Sequence, residues 1–83
     1  MAAIHLFQRC TEFLYPPENE CSYEVVFCRV GMFFGKTVVV RSGFTLAEAL
    51  AFIDWLAGQD WAGFEPCANP LEGESFRLLG EWA

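Results

Sequence analysis

The sequence predicts an α+β fold in which one main helix packs on one face of a small antiparallel sheet. Residues 22–41 contain two β-rich runs joined at a glycine, which is the pattern of a hairpin. Residues 46–57 follow a capping signal and carry apolar residues at helical spacing. A short apolar run at 76–79 supplies a closing strand. Hairpins combined with a single helix favour the α+β class, and 83 residues leave room for one domain, residues 1–83.

The N-terminal element is ambiguous between a helix and a strand. Residues 3–14 fit a helical apolar stripe, and the alternation at their start also fits a strand. Pro16 and Pro17 end the element in either case, because proline has no backbone N–H and restrains the residue before it.

The hairpin is predicted to begin with a long strand over residues 22–34, which are rich in Val, Phe and Tyr. Gly35–Lys36 fits a two-residue turn with glycine leading. Gly31 marks either a bulge or, in a second interpretation, an earlier turn. Residues 37–41 return as a β-branched strand, and Ser42–Gly43 is expected to break it.

The helix is predicted over Leu46–Ala57. Thr45 and Glu48 form the T-x-x-E capping box that starts it, and Gly58 is expected to end it in the left-handed conformation. The predicted apolar face consists of Leu46, Ala49, Leu50, Ile53, Leu56 and Ala57. Residues 59–75 are expected to be irregular, because glycines and prolines interrupt every element there.

The net charge of −6 lies entirely in the second half of the chain. Residues 1–41 are neutral, whereas residues 42–83 carry seven acidic residues against Arg77. Direct nucleic-acid binding is therefore not expected, since phosphate backbones require a positive surface. An acidic surface suits a basic partner, or it keeps a small apolar protein soluble.

The four cysteines have no C-x-x-C spacing, so no metal site is predicted. No export signal or membrane span is recognised in the sequence, and we expect reduced, buried thiols and a cytoplasmic location. The residues from Gly31 to Thr37 resemble a phosphate loop but are one residue short of its spacing.

The histidine and the close carboxylate pairs of the chain do not predict a catalytic site. His5 is the only histidine, and it lies near the chain end, where we expect a surface or half-buried position. The close carboxylate pairs at 18–20 and 72–74 lie in predicted loops. We therefore predict a protein that is not an enzyme and needs no cofactor.

The helix carries the candidate binding surface. Trp55 projects away from the predicted apolar face with Phe52 and Glu48 beside it, and exposed tryptophans are typical anchors of interfaces. In the alternative, residues 59–75 fold back and cover Trp55. The candidate partner-binding residues are Glu48, Asp54, Trp55, Asp60, Glu65, Glu72 and Glu74. Met32–Phe34 is a second patch, either exposed at a hairpin tip or buried in a strand or dimer face.

In size, acidity and lack of catalytic motifs, the chain resembles the small inhibitors that phages and other mobile elements encode, including anti-CRISPR proteins. The resemblance implies a binding protein that blocks a basic, nucleic-acid-handling partner, such as a CRISPR effector or another ribonucleoprotein complex, in a bacterial cytoplasm. Some of these inhibitors imitate the charge of DNA. The alternative is a structural or oligomeric subunit that self-associates through its apolar strand and Trp55. The protein would be a monomer or a homodimer without membrane contact.

Overall fold

The computed structural model describes residues 3–10, 16–31, 35–59, 64–65, 71 and 75–82. It confirms the predicted α+β class. The elements in chain order are β1 (Ile4–Arg9), β2 (Tyr23–Gly31), β3 (Gly35–Phe44), α1 (Leu46–Ala57), β4 (Phe64–Glu65) and β5 (Phe76–Trp82).

The sheet has the strand order β3-β2-β1-β5, with every neighbouring pair antiparallel. The short β4 pairs with the end of β2 and lies off this path. The ambiguous N-terminal element is a strand, and it occupies the centre of the sheet. Its backbone N–H and C=O groups pair on both sides, with β2 and with β5.

Strand alternation divides the core between the two faces of the sheet. On one face α1 packs on β2 and β3, and the buried cluster comprises Ile4, Leu6, Tyr23, Val25, Phe27, Ala49, Ile53 and Leu56. On the other face, Leu71 and Phe76 pack against the smaller buried cluster of Phe7, Val26 and Cys28. Each fully buried aliphatic side chain contributes roughly 1.5–3 kcal/mol, so among the described residues the helix-covered face carries the larger share of the apolar stabilisation.

The turn of the β2–β3 hairpin lies earlier than its leading prediction. Val30 pairs with Lys36 and Gly31 pairs with Gly35, so Gly35 and Lys36 already belong to β3. The predicted Gly35–Lys36 turn is therefore wrong, and the chain reverses between Gly31 and Gly35. Gly35 has a φ of +71°, a conformation that glycine adopts without steric cost. The Met32–Phe34 patch lies outside the described residues.

The predicted break at Ser42–Gly43 is also wrong, because β3 continues to Phe44, which pairs with Tyr23. The register shifts between Tyr23 and Val25, and Gly43 has a φ of +82° opposite this point. A glycine at positive φ lets the strand absorb an extra residue as a bulge instead of ending.

The helix has the predicted bounds, and both hydrogen bonds of its capping box are present. Its predicted end is wrong in conformation. Gly58 has a φ of −84° and a ψ of −5°, which is right-handed. Its N–H donates to the Trp55 carbonyl at 3.1 Å, and the Gln59 N–H donates to the Leu56 carbonyl at 3.0 Å. The last turn closes by these bonds, so no left-handed residue is required.

The C-terminal strand extends beyond its predicted bounds of 76–79. Its added residues pair with the start of β1, where Glu81 lies opposite His5 and Trp82 lies opposite Ile4. This pairing compensates for Gly80, which weakens the strand signal in the sequence. The 59–75 region, expected to be irregular, contains the two-residue strand β4.

The cysteines depart from the reduced, buried state that we expect. Cys28 is fully buried and disulfide-bonded, with a partner outside the described residues, whereas Cys10 and Cys21 carry free thiols. Cys10 is half-buried and Cys21 is exposed. β4 pairs with Cys28 itself, so the tertiary structure brings a distant part of the chain to this residue.

Candidate functional site

The side of α1 that faces away from the sheet is the candidate docking surface. We call it the outer face of α1, and its exposed residues are Ala47, Glu48, Leu50, Ala51, Asp54, Trp55 and Ala57. The opposite side holds the buried residues of the helix, Ala49, Ile53 and Leu56. Five of the seven exposed residues are apolar, whereas an outward helix face is ordinarily polar.

Four aromatic rings connect this outer face to the core, and we call them the aromatic row. Phe27 is buried in the sheet, Phe44 and Phe52 are half-buried, and Trp55 is at the surface. The ring centroids of Phe27 and Phe52 are 6.2 Å apart, those of Phe44 and Phe52 are 5.2 Å apart, and those of Phe52 and Trp55 are 5.9 Å apart. These separations are typical of favourable aromatic pairs.

The indole of Trp55 is both exposed and supported. The indole is 57% exposed, and most of residues 59–75, which cover Trp55 in the alternative, lie outside the described residues. Its ring stacks on Phe52 at an interplanar angle of 19°. A tryptophan held against the protein in this way loses little rotamer freedom when a partner buries its other side.

The outer face carries acidic and no basic charge. Glu48 and Asp54 are its charged residues, while all five basic residues of the chain lie in strands. Glu48 accepts a hydrogen bond from the Thr45 N–H at 3.0 Å in the capping box. Hydrogen bonds with the backbone and then the side chain of Thr45 lower the pKa of Glu48, which favours its charged form. Glu48 therefore has a structural role besides any contact with a partner.

An apolar cleft of about 420 Å³ adjoins the outer face at the start of α1. It is lined by Glu18, Asn19, Thr45, Leu46, Ala47 and Leu50. The Leu46 N–H donates to the Glu18 carbonyl at 3.2 Å, which holds the preceding loop against the helix. The cleft thus extends the apolar surface beyond the helix itself.

The structure places only part of the predicted site on one surface. Glu48, Asp54 and Trp55 share the outer face of α1. Glu65 lies in β4, which pairs with β2 as part of the sheet, and so belongs to another element. Asp60, Glu72 and Glu74 lie outside the described residues.

Leu50 belongs to the candidate site, although its spacing predicts a place in the core. It is 43% exposed and lines the apolar cleft, so its predicted burial is wrong. Ala57, also assigned to the buried face, is exposed. Both lie at the same edge of the apolar stripe, and this marginal position was the signal that they could face solvent.

Within the described part of the chain, Glu81 is the acidic residue that lies beside His5. His5 is buried in β1 rather than at the surface, and its Nε2 lies 3.4 Å from an Oε1 atom of Glu81. Its ring stacks with the ring of Phe7, with centroids 6.2 Å apart. Among the described residues, no group of three or more His, Cys, Asp or Glu side chains is placed to hold a metal ion.

A second cleft, of about 480 Å³, lies at the far end of the β1–β2 pair. It is lined by Arg9, Pro16, Glu20, Cys21, Ser22, Glu24 and Gly43. Glu24 is buried there and forms an ion pair with Arg9, whose guanidinium is half exposed. This pair holds the end of β1 to β2.

The chain matches no protein-family model, no curated protein and no solved structure. No helix in the described part of the chain has the length and apolar character that a bilayer crossing requires.

Proposed function

We propose that this protein is a non-enzymatic binding module that docks through the outer face of α1 onto a basic partner protein. The observation that carries the proposal is Trp55, whose indole is 57% exposed while it stacks on Phe52. The part of the indole that faces water contributes no burial energy to the free protein. A partner that covers it would gain apolar contact at little entropic cost.

The charge of the outer face specifies the kind of partner. Glu48 and Asp54 flank an apolar surface that has no compensating basic residue. A partner with a basic rim around an apolar patch would be attracted by these carboxylates and then held by the aromatic contact. Proteins that handle nucleic acid carry such basic surfaces. An inhibitor of the anti-CRISPR type is the form of this proposal that the size and acidity of the chain suggest.

Self-association is the second candidate, and a separate observation favours it. Val38 and Val40 in the edge strand β3 are 53% and 40% exposed. They pair with Cys28 and Val26, so they lie on the sheet face opposite α1. A contact between copies through these valines uses a surface other than Trp55 and other than the Met32–Phe34 strand of the sequence-based hypothesis, which lies outside the described residues.

The disulfide at Cys28 bears on the location of the protein. Stable disulfides are rare in cytosolic proteins because cellular reductants keep thiols reduced. The buried disulfide supports an oxidising compartment and counts against the cytoplasmic location that the sequence suggested. The docking surface suits a basic partner in either compartment, whereas an inhibitor of the anti-CRISPR type acts in the cytoplasm, so the disulfide weighs against that form of the proposal.

A pull-down with three matched baits tests the docking proposal. Wild-type protein, Trp55→Ala and Leu79→Ala are compared at low and high salt against a nuclease-treated lysate. Leu79 is an exposed apolar residue of β5, away from the helix, and serves as the control. We expect a partner that wild type and Leu79→Ala retain, that high salt weakens, and that Trp55→Ala binds roughly 30-fold less tightly.

Circular dichroism of each bait distinguishes lost docking from lost folding. A Trp55→Ala variant that folds and still captures the same partner undiminished would exclude the outer face of α1 as the docking surface.

The self-association candidate predicts that the wild-type protein dimerises. A dimer that Val38→Asp abolishes and Trp55→Ala leaves intact would favour this candidate instead. If the captured partner binds DNA or RNA, competition by the wild-type protein tests the inhibitor form of the proposal.

A further inference from the structure

Two free thiols lie just beyond the end of the β1–β2 ladder. The register of this ladder pairs Gln8 with Tyr23 in its last described step. The Arg9 N–H then donates to the Ser22 carbonyl at 2.8 Å, which extends the same register by one residue. The next step places Cys10 opposite Cys21.

The hydrogen-bonding pattern makes this step a close one. Opposed residues of an antiparallel pair alternate between hydrogen-bonded and non-hydrogen-bonded positions. Arg9 and Ser22 share one backbone hydrogen bond, from the Arg9 N–H to the Ser22 carbonyl, so the same register continued by one residue gives Cys10 and Cys21 a non-hydrogen-bonded position. Cα atoms at such positions are about 4.5 Å apart, and a disulfide needs a Cα separation of about 4.4–6.8 Å.

The surroundings hold the backbone of Cys10 in place and leave Cys21 exposed. The Cys10 N–H donates to the Ser75 carbonyl at 2.7 Å, which fixes Cys10 beside the start of β5. Cys21 is exposed and lines the second cleft. The Ser22 N–H donates to the Glu20 carbonyl at 2.9 Å, so the chain turns at Cys21. This turn lies outside the ladder and can adjust without disturbing the sheet.

We propose that Cys10 and Cys21 form a second disulfide when the protein meets a low-molecular-weight disulfide. The Cys21 thiolate attacks one sulfur of the small disulfide, which releases one thiol and leaves a mixed disulfide on Cys21. The Cys10 thiolate then attacks the Sγ of Cys21 and releases the second thiol. Two protein thiols are oxidised and one small disulfide is reduced to two thiols.

The bond would tether the chain segment between the two cysteines. Within this segment, Glu18 accepts the hydrogen bond of the Leu46 N–H at the start of α1. The new disulfide therefore fixes the loop that lines the apolar cleft beside the outer face of α1. The inference stands on the β1–β2 register and does not depend on the proposed docking function.

Oxidation of the full chain followed by peptide mapping tests the proposal. The neutral compound 2-hydroxyethyl disulfide is a suitable probe, since Cys21 shares its cleft with Glu20 and Glu24. Cleavage after glutamate places the four cysteines on four fragments, because Glu12, Glu20, Glu24 and Glu48 separate them. We expect fragment 1–12 linked to fragment 21–24, with a mass two hydrogens below their sum.

Thermal unfolding of matched variants supplies a second measurement. Oxidation is expected to raise the Tm of the wild-type protein by about 5–10 °C, because the new cross-link lowers the conformational entropy of the unfolded chain. Cys10→Ser and Cys21→Ser should show no such rise. Mixed adducts on both Cys10 and Cys21, or a link from either to the fragments that hold Cys28 or Cys67, would overturn the proposal.

Discussion

Gly80 and Trp82 show how a single residue shapes an edge strand. A Cβ atom added at Gly80 would lie 2.8 Å from the Cη2 atom of Trp82, closer than van der Waals contact permits. The indole of Trp82 therefore lies over the glycine and packs against the cluster that α1 covers. Glycine weakens the strand at this position, but the absence of a Cβ atom leaves space for the indole to pack at the end of the core.

This contact predicts the effect of Gly80→Ala. The added methyl group must displace the ring of Trp82, and we expect the free energy of unfolding to fall by about 1–3 kcal/mol. Urea denaturation of the wild type, Gly80→Ala, Trp82→Ala and the double variant measures the coupling. In the Trp82→Ala background the cost of the alanine should largely disappear. An equal cost in both backgrounds would show that the clash is not with the indole.

At the scale of elements, the capping box sets where α1 begins. The Glu48 N–H donates to the hydroxyl group of Thr45 at 3.2 Å, and the Glu48 carboxylate accepts from the Thr45 N–H. Two backbone donors that the helix cannot satisfy internally thus find partners. The helix starts at Leu46 for this local reason, independently of the core.

The capping box predicts a pH-dependent contribution to stability. Since the pKa of Glu48 in the folded protein lies below its ordinary value of 4.5, the folded state favours the carboxylate. The stabilisation is present above the unfolded pKa and is lost as the pH falls through the folded pKa. In urea denaturation, the difference between wild type and Glu48→Gln should be present at pH 7 and shrink towards pH 3.

Thr45→Ala serves as the matched variant, because it removes the hydroxyl acceptor and leaves the carboxylate. We expect it to lower the free energy of unfolding by about 1 kcal/mol at pH 7. A Glu48→Gln difference that stays constant from pH 7 to pH 3 would contradict the role assigned to the charge.

At the scale of the whole molecule, β1 contributes residues to the buried clusters on both faces of the sheet. Its residues Ile4 and Leu6 face α1, and Phe7 faces the opposite cluster. The strand also joins β2 to β5, which is far from it in sequence. The sheet therefore cannot form its order β3-β2-β1-β5 until the two ends of the chain meet.

This arrangement predicts the order of amide hydrogen exchange. The amides of β1 and β2 have strand neighbours on both sides and should exchange slowest, at rates that approach global unfolding. Alternate amides of β3 and β5 point away from their partner strand and should exchange faster. Exchange measured by NMR tests the order, and protection in β5 equal to that in β1 would imply that the edge strand has a further partner.

Much of the fold follows from local patterns in the sequence. The capping box and the apolar spacing determine α1 to its observed bounds, and the β-rich runs determine the strands of the β2–β3 hairpin. These signals work because they depend on residues within one or two turns of each other. The exposure of Trp55 was also indicated by its place on the helix, although the sequence alone left open whether a later segment covers it.

The tertiary structure decided what depends on residues far apart in the chain. It made the N-terminal element a strand, because β2 and β5 supply hydrogen-bond partners on both of its sides. It extended β5 to Trp82 through pairing with β1, and it turned Gly43 into a bulge rather than a break. It also placed Leu50 in solvent and joined Cys28 in a disulfide. Local spacing carries no information on which distant strand, ring or sulfur a residue will meet, and the packing of the sheet supplies that information.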